Sequence, residues 1–178
     1  MTVAPILDTR RAILRPHVRA DFDVFADMWR DPVVTRHFGR SFTRGESWTR
    51  FLRSVGLWPI LGYGYWAVED RATGDYLGLV GLADFERDIP EIAGIPEAGW
   101  VLAAAAHGRG LATELVAAMM AWADAAIDAP QTCCIIDPGN QGSIRVAEKS
   151  GFVACGRAPF EGGETLVFKR PRGALPDR

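Results

Sequence analysis

Trp100-Val101-Leu102, Ala103 to Ala106, then His107-Gly108-Arg109-Gly110-Leu111-Ala112-Thr113 is a short apolar run, a small-residue link, a glycine-bearing loop and the start of a helical pattern. The order predicts strand, loop, helix, with the helix N-terminus close behind the strand's C-terminal end. The first N–H groups of a helix have no intrahelical acceptor and lie at the positive end of its dipole, so they favour a phosphate or pyrophosphate. Gly108 and Gly110 have no Cβ to hold such a ligand off the backbone, and Arg109 adds a positive charge beside it.

The pattern extends in both directions. From Gly110 a long helix carries Leu111, Leu115, Met119, Trp122 and Ala126 on one stripe, and Cys133 to Ile136 reads as a short buried strand. Strand 98–102, helix 110–126 and strand 133–136 form one βαβ unit, whose crossover makes the two strands parallel. A ligand is expected at their C-terminal ends. Asn140 then caps a helix reaching Ser150, Gly151 ends it, and a hairpin from Phe152 turns at Gly162-Gly163. Upstream, Ala12 to Arg15 reads as a strand, and Asp21 as the cap of a helix burying Phe22, Phe25, Met28 and Trp29, stopped at Asp31-Pro32. Thr43-Arg44-Gly45-Glu46 fits a capping box for a helix to about Leu57, burying Trp48, Phe51, Leu52 and Val55, with a turn over 59–64. Tyr65 to Glu69 and Leu77 to Phe85 read as a hairpin preceding strand 98–102, and the tail after Arg170 as frayed. The expected fold class is α/β (α+β): a mixed, mostly antiparallel sheet of six or seven strands with a central parallel pair and about four helices.

The 178 residues suit a single domain, 1–178, with 48% hydrophobic and 24% charged residues as in a soluble globular protein. A net charge of -2 argues against a nucleic-acid partner, while leaving room for a small anion held by local dipoles. The sequence has neither an apolar run of membrane-spanning length nor a secretory signal, so no membrane partner and a cytoplasmic location are expected, as monomer or homodimer. Cys133, Cys134 and Cys155 are odd in number and lack zinc-ligand spacing; buried thiols and no metal are the reading.

Glu97-Ala98-Gly99-Trp100-Val101-Leu102, Gly108-Arg109-Gly110-Leu111-Ala112-Thr113-Glu114, Asn140-Gln141-Gly142-Ser143 and Glu148-Lys149-Ser150-Gly151-Phe152 together resemble the GNAT acetyltransferase superfamily. Thr9-Arg10-Arg11-Ala12-Ile13-Leu14-Arg15-Pro16 and Asp31-Pro32 make the chain similar to its branch of ribosomal-protein N-terminal acetyltransferases. The resemblance spans residues 9–170 and rests on co-linearity rather than on one motif. It implies the acyl-CoA N-acyltransferase fold, acetyl-CoA as cosubstrate and an amine acceptor. By resemblance, His107 to Thr113 hold the pyrophosphate, the arm of CoA runs along Trp100, Val101 and Leu102, and Asn140 and Ser143 meet the arm and its sulfur. The sequence departs from the family pattern at His107 and at Ala103 to Ala106, where polar residues are usual.

Glu97 is the candidate general base toward the acceptor amine, and Ser143 the candidate acid toward the departing thiolate. Both have ordinary alternatives, a strand-end acid and a first-turn serine. Tyr63, Tyr65 and Tyr76 are further acid candidates that core packing also accounts for. The first two helices and their link, Val33 to Thr43, form the acceptor side in similar proteins. Two other functions fit parts of the sequence: a catalytically silent CoA-binding or interaction module, and a nicotinamide-dinucleotide-binding protein, against which Thr113 replaces the third glycine and the βαβ unit is not repeated.

Overall fold

The computed structural model describes residues 3–174. Its strands are β1 (Leu7–Asp8), β2 (Ala12–Arg15), β3 (Tyr65–Asp70), β4 (Tyr76–Ala83), β5 (Glu97–Leu102), β6 (Gln131–Ile136), β7 (Val153–Phe160) and β8 (Gly163–Pro171). The helices are α1 (Phe22–Arg30), α2 (Pro32–Thr35), α3 (Arg44–Leu61), α4 (Leu111–Ala126) and α5 (Gln141–Lys149). All eight strands form one sheet in the order β1-β2-β3-β4-β5-β6-β8-β7, in which only β5 and β6 run parallel. The eighth strand beyond the expected six or seven is β1, and the extra helix is α2; at two and four residues neither is long enough to show a period. The tail expected to fray after Arg170 is instead held through Ala174, whose carbonyl accepts Arg170 Nη2 at 2.7 Å while the Arg172 N–H donates to the Pro130 carbonyl at 2.9 Å; residues 175–178 lie outside the described residues.

Alternation along the strands sends side chains to two layers. Trp66, Val68, Val80, Leu82, Ala98 and Leu102 pack with Leu111, Leu115, Met119 and Phe152 from the α4 and α5 side. Leu79, with Tyr65, Tyr76 and Val101, packs on the other side with Phe22, Phe25 and Trp29 of α1 and Phe51 of α3.

Four local expectations need correction. Asp21 does not cap α1 through its side chain; its carboxylate instead accepts Arg15 Nη1 and Nη2 at 2.8 Å each and the Val18 N–H at 2.8 Å. The α3 capping box forms between Thr43 and Glu46, but the helix runs through Pro59 to Leu61. Its buried stripe is Ser47, Phe51, Ser54 and Trp58, while Leu52 and Val55 are 49% and 43% exposed. Hydrophobicity misphases this helix because two serines hold buried positions. Ser47 and Ser54 donate their hydroxyls to the carbonyls of Thr43 and Arg50, so burial leaves no unpaired polar atom. The last hairpin turns at Glu161-Gly162, both at positive φ, rather than at Gly162-Gly163. In α4 the stripe ends at Ala123 instead of the exposed Ala126.

His17 is wedged edge-on against Phe25 and Phe51, with neither ring nitrogen partnered. Burial pushes its pKa down to about 4. The unfolded chain therefore takes up this proton first as pH falls, so stability present above pH ~6.5 is lost progressively toward pH ~4, by on the order of 3 kcal/mol at most. Urea denaturation between pH 7 and 5 is expected to show this loss in the native protein and a flatter dependence in His17→Phe. Equal slopes would mean that His17 is not held neutral.

Candidate active site

β5 and β6 meet at one point. β5 pairs with β4 along its whole length, from Ala83↔Glu97 to Gly78↔Leu102, whereas its parallel register with β6 is confined to Glu97↔Cys133. The Cys133 N–H donates to the Pro96 carbonyl at 3.0 Å at this junction. Beyond it the strands diverge, and Ala98 to Val101 face Cys134 to Ile136 across a cleft of about 730 Å³. Past Glu97, β5 thus keeps one edge without a strand partner. Such an edge pairs readily with an extended, amide-bearing chain.

The glycine loop lies beyond the C-terminal end of β5. His107 is spent on building it: its N–H donates to the Ala104 carbonyl at 3.1 Å, and its ring Nε2 donates to the Leu102 carbonyl at 2.8 Å. Among the described residues, the N–H groups of Gly108, Arg109, Gly110, Leu111, Ala112 and Thr113 have no backbone acceptor. Gly108 and Gly110 have φ of +71° and +68°, and a Cβ at Gly108 would meet nothing within 4 Å. The left-handed backbone, rather than crowding, is what calls for glycine here. Arg11 ties the loop to the fold. Its Nε and N–H reach the Glu114 carboxylate at 2.7 and 2.9 Å, and its Nη1 donates to the Arg109 carbonyl at 2.6 Å. Sequence reading used Arg11 only as part of a pattern, because a partner 103 residues away has no local signature.

The cleft lining includes Glu97, Trp100, Val101, Asn140 and Ser143. The Asn140 side chain accepts the Ser143 N–H at 3.1 Å, which fixes the first turn of α5 against the β6 side. Glu97 is buried, 6% exposed, and bidentate with Arg87 at 2.7 and 2.9 Å. One lone-pair site on each carboxylate oxygen is thereby occupied and one left. Across the mouth, the His37 Nδ1 lies 3.3 Å from Asp137 Oδ1, joining the α2–α3 link to the loop after β6.

The chain matches the model of the acetyltransferase (GNAT) domain over residues 11–153. It belongs to the GNAT acetyltransferase family. A protein from Bordetella pertussis described as a GnaT-family acetyltransferase is 30% identical, with a TM-score of 0.82, covering 94% of this chain and 99% of that one. Two further structures share the fold at lower identity. A ribosomal-protein-S5-alanine acetyltransferase from Vibrio fischeri is 20% identical, TM-score 0.72, covering 98% and 100% of the chains. A phosphinothricin acetyltransferase from Sinorhizobium meliloti in complex with AcCoA is 23% identical, TM-score 0.70, covering 94% of each chain. An uncharacterised Bacillus subtilis (strain 168) protein, YkkB, is 36% identical over 93 residues, 51% of this chain, and the match spans about half (52%) of that relative's length.

In this GNAT chain one hydroxyl reaches the cleft by a route that no linear pattern displays. Tyr65, Gly81 and Gly99 sit opposite one another on β3, β4 and β5, so the tyrosine lies flat across two glycines. A Cβ on Gly99 would collide with the Tyr65 hydroxyl, the next ring atom being 3.3 Å away. Burial, then the nearby charge of Glu97, raises the Tyr65 pKa well above the usual phenol range, so the group stays protonated and able to donate. Gly99→Ala is expected to destabilise the fold by about 1–3 kcal/mol through overpacking. Adding Tyr65→Phe should recover much of that loss in thermal denaturation, and independent, additive losses would contradict the contact.

Proposed function

We propose that this GNAT protein transfers the acetyl group of acetyl-CoA directly to a primary amine. The observation that carries the reading is the strand pair joined only at Glu97 and Cys133, with the free N–H groups of 108–113 beyond the end of β5. The open edge at Trp100, Val101 and Leu102, the last with its carbonyl already taken by His107, suits the amide-bearing arm of CoA, and the loop suits its pyrophosphate. His107 serves as the brace of that loop, with Gly108 to Thr113 supplying the donors and Arg109 a charge.

Attack on the thioester needs a neutral amine. An α-amine, with a reference pKa near 7.7–8.0, is deprotonated at neutral pH for roughly 3 kcal/mol less than a lysine near 10.4, so a protein N-terminus or a small-molecule amine asks least of the site. Glu97 takes the ammonium proton, directly or through water, at a carboxylate lone pair not used by Arg87. Backbone N–H groups near Leu102 stabilise the oxyanion. Ser143, held at the start of α5, donates toward the departing sulfur, and Tyr65 is a second donor on the same cleft. The structural neighbours include a ribosomal-protein-S5-alanine acetyltransferase and a phosphinothricin acetyltransferase, so the fold serves more than one kind of acceptor.

The test is acetyl-CoA-dependent thiol release with a panel of amines, alongside thermal melts. A ligand at ~100 times its Kd that binds only the native state adds about 2.7 kcal/mol of stability. A melting shift without turnover of any amine would favour a silent CoA-binding module. No shift with acetyl-CoA but one with NAD would sink the reading altogether.

A further inference from the structure

On the wall opposite β5, α3 presents Arg50 and Arg53 to the same cleft, three residues apart and so on one helix face. Arg50 is half-buried in the corner between two rings set at 89° to one another: its guanidinium carbon lies 4.0 Å from the Phe42 ring centre and 4.7 Å from that of Trp29. The Arg53 guanidinium sits 4.9 Å over Phe85. Cation–π contact holds each group by its charge and uses none of its N–H donors on an oxygen acceptor. Neither has an ion-pair partner among the described residues, in contrast to the other two arginines lining the cleft, Arg40 with Glu46 and Arg87 with Glu97.

The acids lining the cleft compensate them only in part. Glu97 is taken by Arg87, Asp137 faces His37, and Glu164 pairs with Arg157. Glu161, on the exposed β7–β8 turn, makes no direct ion pair with either arginine, and its charge favours the Arg50 cation only from a distance. Burial and then the charge of Arg53 press the Arg50 pKa below its ordinary value, the direction that repulsion from a neighbouring cation imposes. An anion seated between them would relieve this repulsion, and a carboxylate or phosphoryl group matches the planar donor fork.

We infer that the acceptor is an anionic amine: its amino group approaches Glu97 and β5 while a carboxylate or phosphoryl group is held by Arg50 and Arg53. This rests on the acetyl-transfer reading above. A polycationic acceptor would place positive charge against two guanidinium groups that have no ion-pair partner, and is disfavoured on this wall. Shared chemistry, not size, defines the class. A free amino acid or aminophosphonate and a peptide with an acidic residue next to its N-terminus both supply it.

The experiment compares acids with their neutral counterparts under acetyl-CoA: amino acids against their amides, an aminoalkylphosphonate against the matching amino alcohol, peptides with Asp against Asn at the second position, and a polyamine. The acids are expected to show at least about tenfold higher kcat/KM, the scale of one charge-assisted hydrogen bond. The small-molecule and peptide arms show which source the cleft prefers. Arg50→Gln and Arg53→Gln should each raise KM for acids and narrow the gap to the neutral partners, with acetyl-CoA affinity retained as a check on the fold. Arg50→Lys should restore part of the gap. Equal or better turnover of amides or polyamine, or variants that slow all acceptors alike, would overturn the proposal. If acetyl-CoA binds and no amine turns over, transfer fails as a reading, and calorimetric titration of the same amines into the CoA-loaded protein decides the anion site. Selective binding of acids that Arg50→Gln abolishes supports it, and indifferent binding overturns it.

Discussion

Gly110→Val is expected to lower acetyl-CoA affinity by about thirtyfold or more, since holding a β-branched residue at positive φ costs on the order of 2 kcal/mol and the loop escapes by abandoning its conformation. Gly110 stands at φ +68° immediately before α4, and the neighbouring N–H groups point usefully only while that backbone is kept. The fold should survive. The loop is exposed, and the helix behind it is anchored by Leu111, Leu115 and Met119 in the core. Titration calorimetry on Gly110→Val beside Glu97→Gln should find the loop variant much the weaker binder. The reverse order would remove the phosphate-cradle argument, because Glu97 lies at the opposite end of β5.

Glu97→Gln is expected to cut kcat/KM by about a hundredfold at pH 6.5, within the usual range for a lost general base, and by far less above pH ~8, where an α-amine acceptor is already neutral. The sign follows from the substrate. With falling pH more of the amine is protonated and a base at the site matters more. Arg87 supplies the alternative account, since its guanidinium holds both Glu97 oxygens. If Glu97 served only to seat Arg87, Glu97→Gln would lower the rate by one factor at every pH. A pH–rate profile of the variant separates the two, and a flat ratio would remove Glu97 as the base.

The glycine loop and the helix behind it were legible in the sequence because local signals coincide there: two glycines, an apolar stripe beginning at Leu111 and a strand just before. Asn140 was legible for the same reason, as a cap three residues before its partner N–H at Ser143. What escaped was long-range or disguised. The Arg11–Glu114 tether and the Arg87 clamp on Glu97 are pairings that no period announces. Tyr65 gains its place from Gly81 and Gly99, two absences of a side chain on other strands. The α3 face was misphased because Ser47 and Ser54 satisfy their hydroxyls within the helix and read as surface. That misphasing also concealed how Arg50 and Arg53 face the cleft. The divergence of β5 from β6 had no sequence signal, as a βαβ unit ordinarily predicts a parallel pair joined along its length.

The central claim is that the diverging strands and the glycine loop form one acetyl-CoA site, and amide hydrogen exchange with and without acetyl-CoA tests it most directly. An added strand and a bound pyrophosphate should slow exchange together at Trp100 to Leu102 on β5 and at Gly108 to Thr113 in the loop, leaving the distant β1–β2 edge unchanged. Binding of acetyl-CoA that protects neither segment, or that protects a different face of the sheet, would contradict the account.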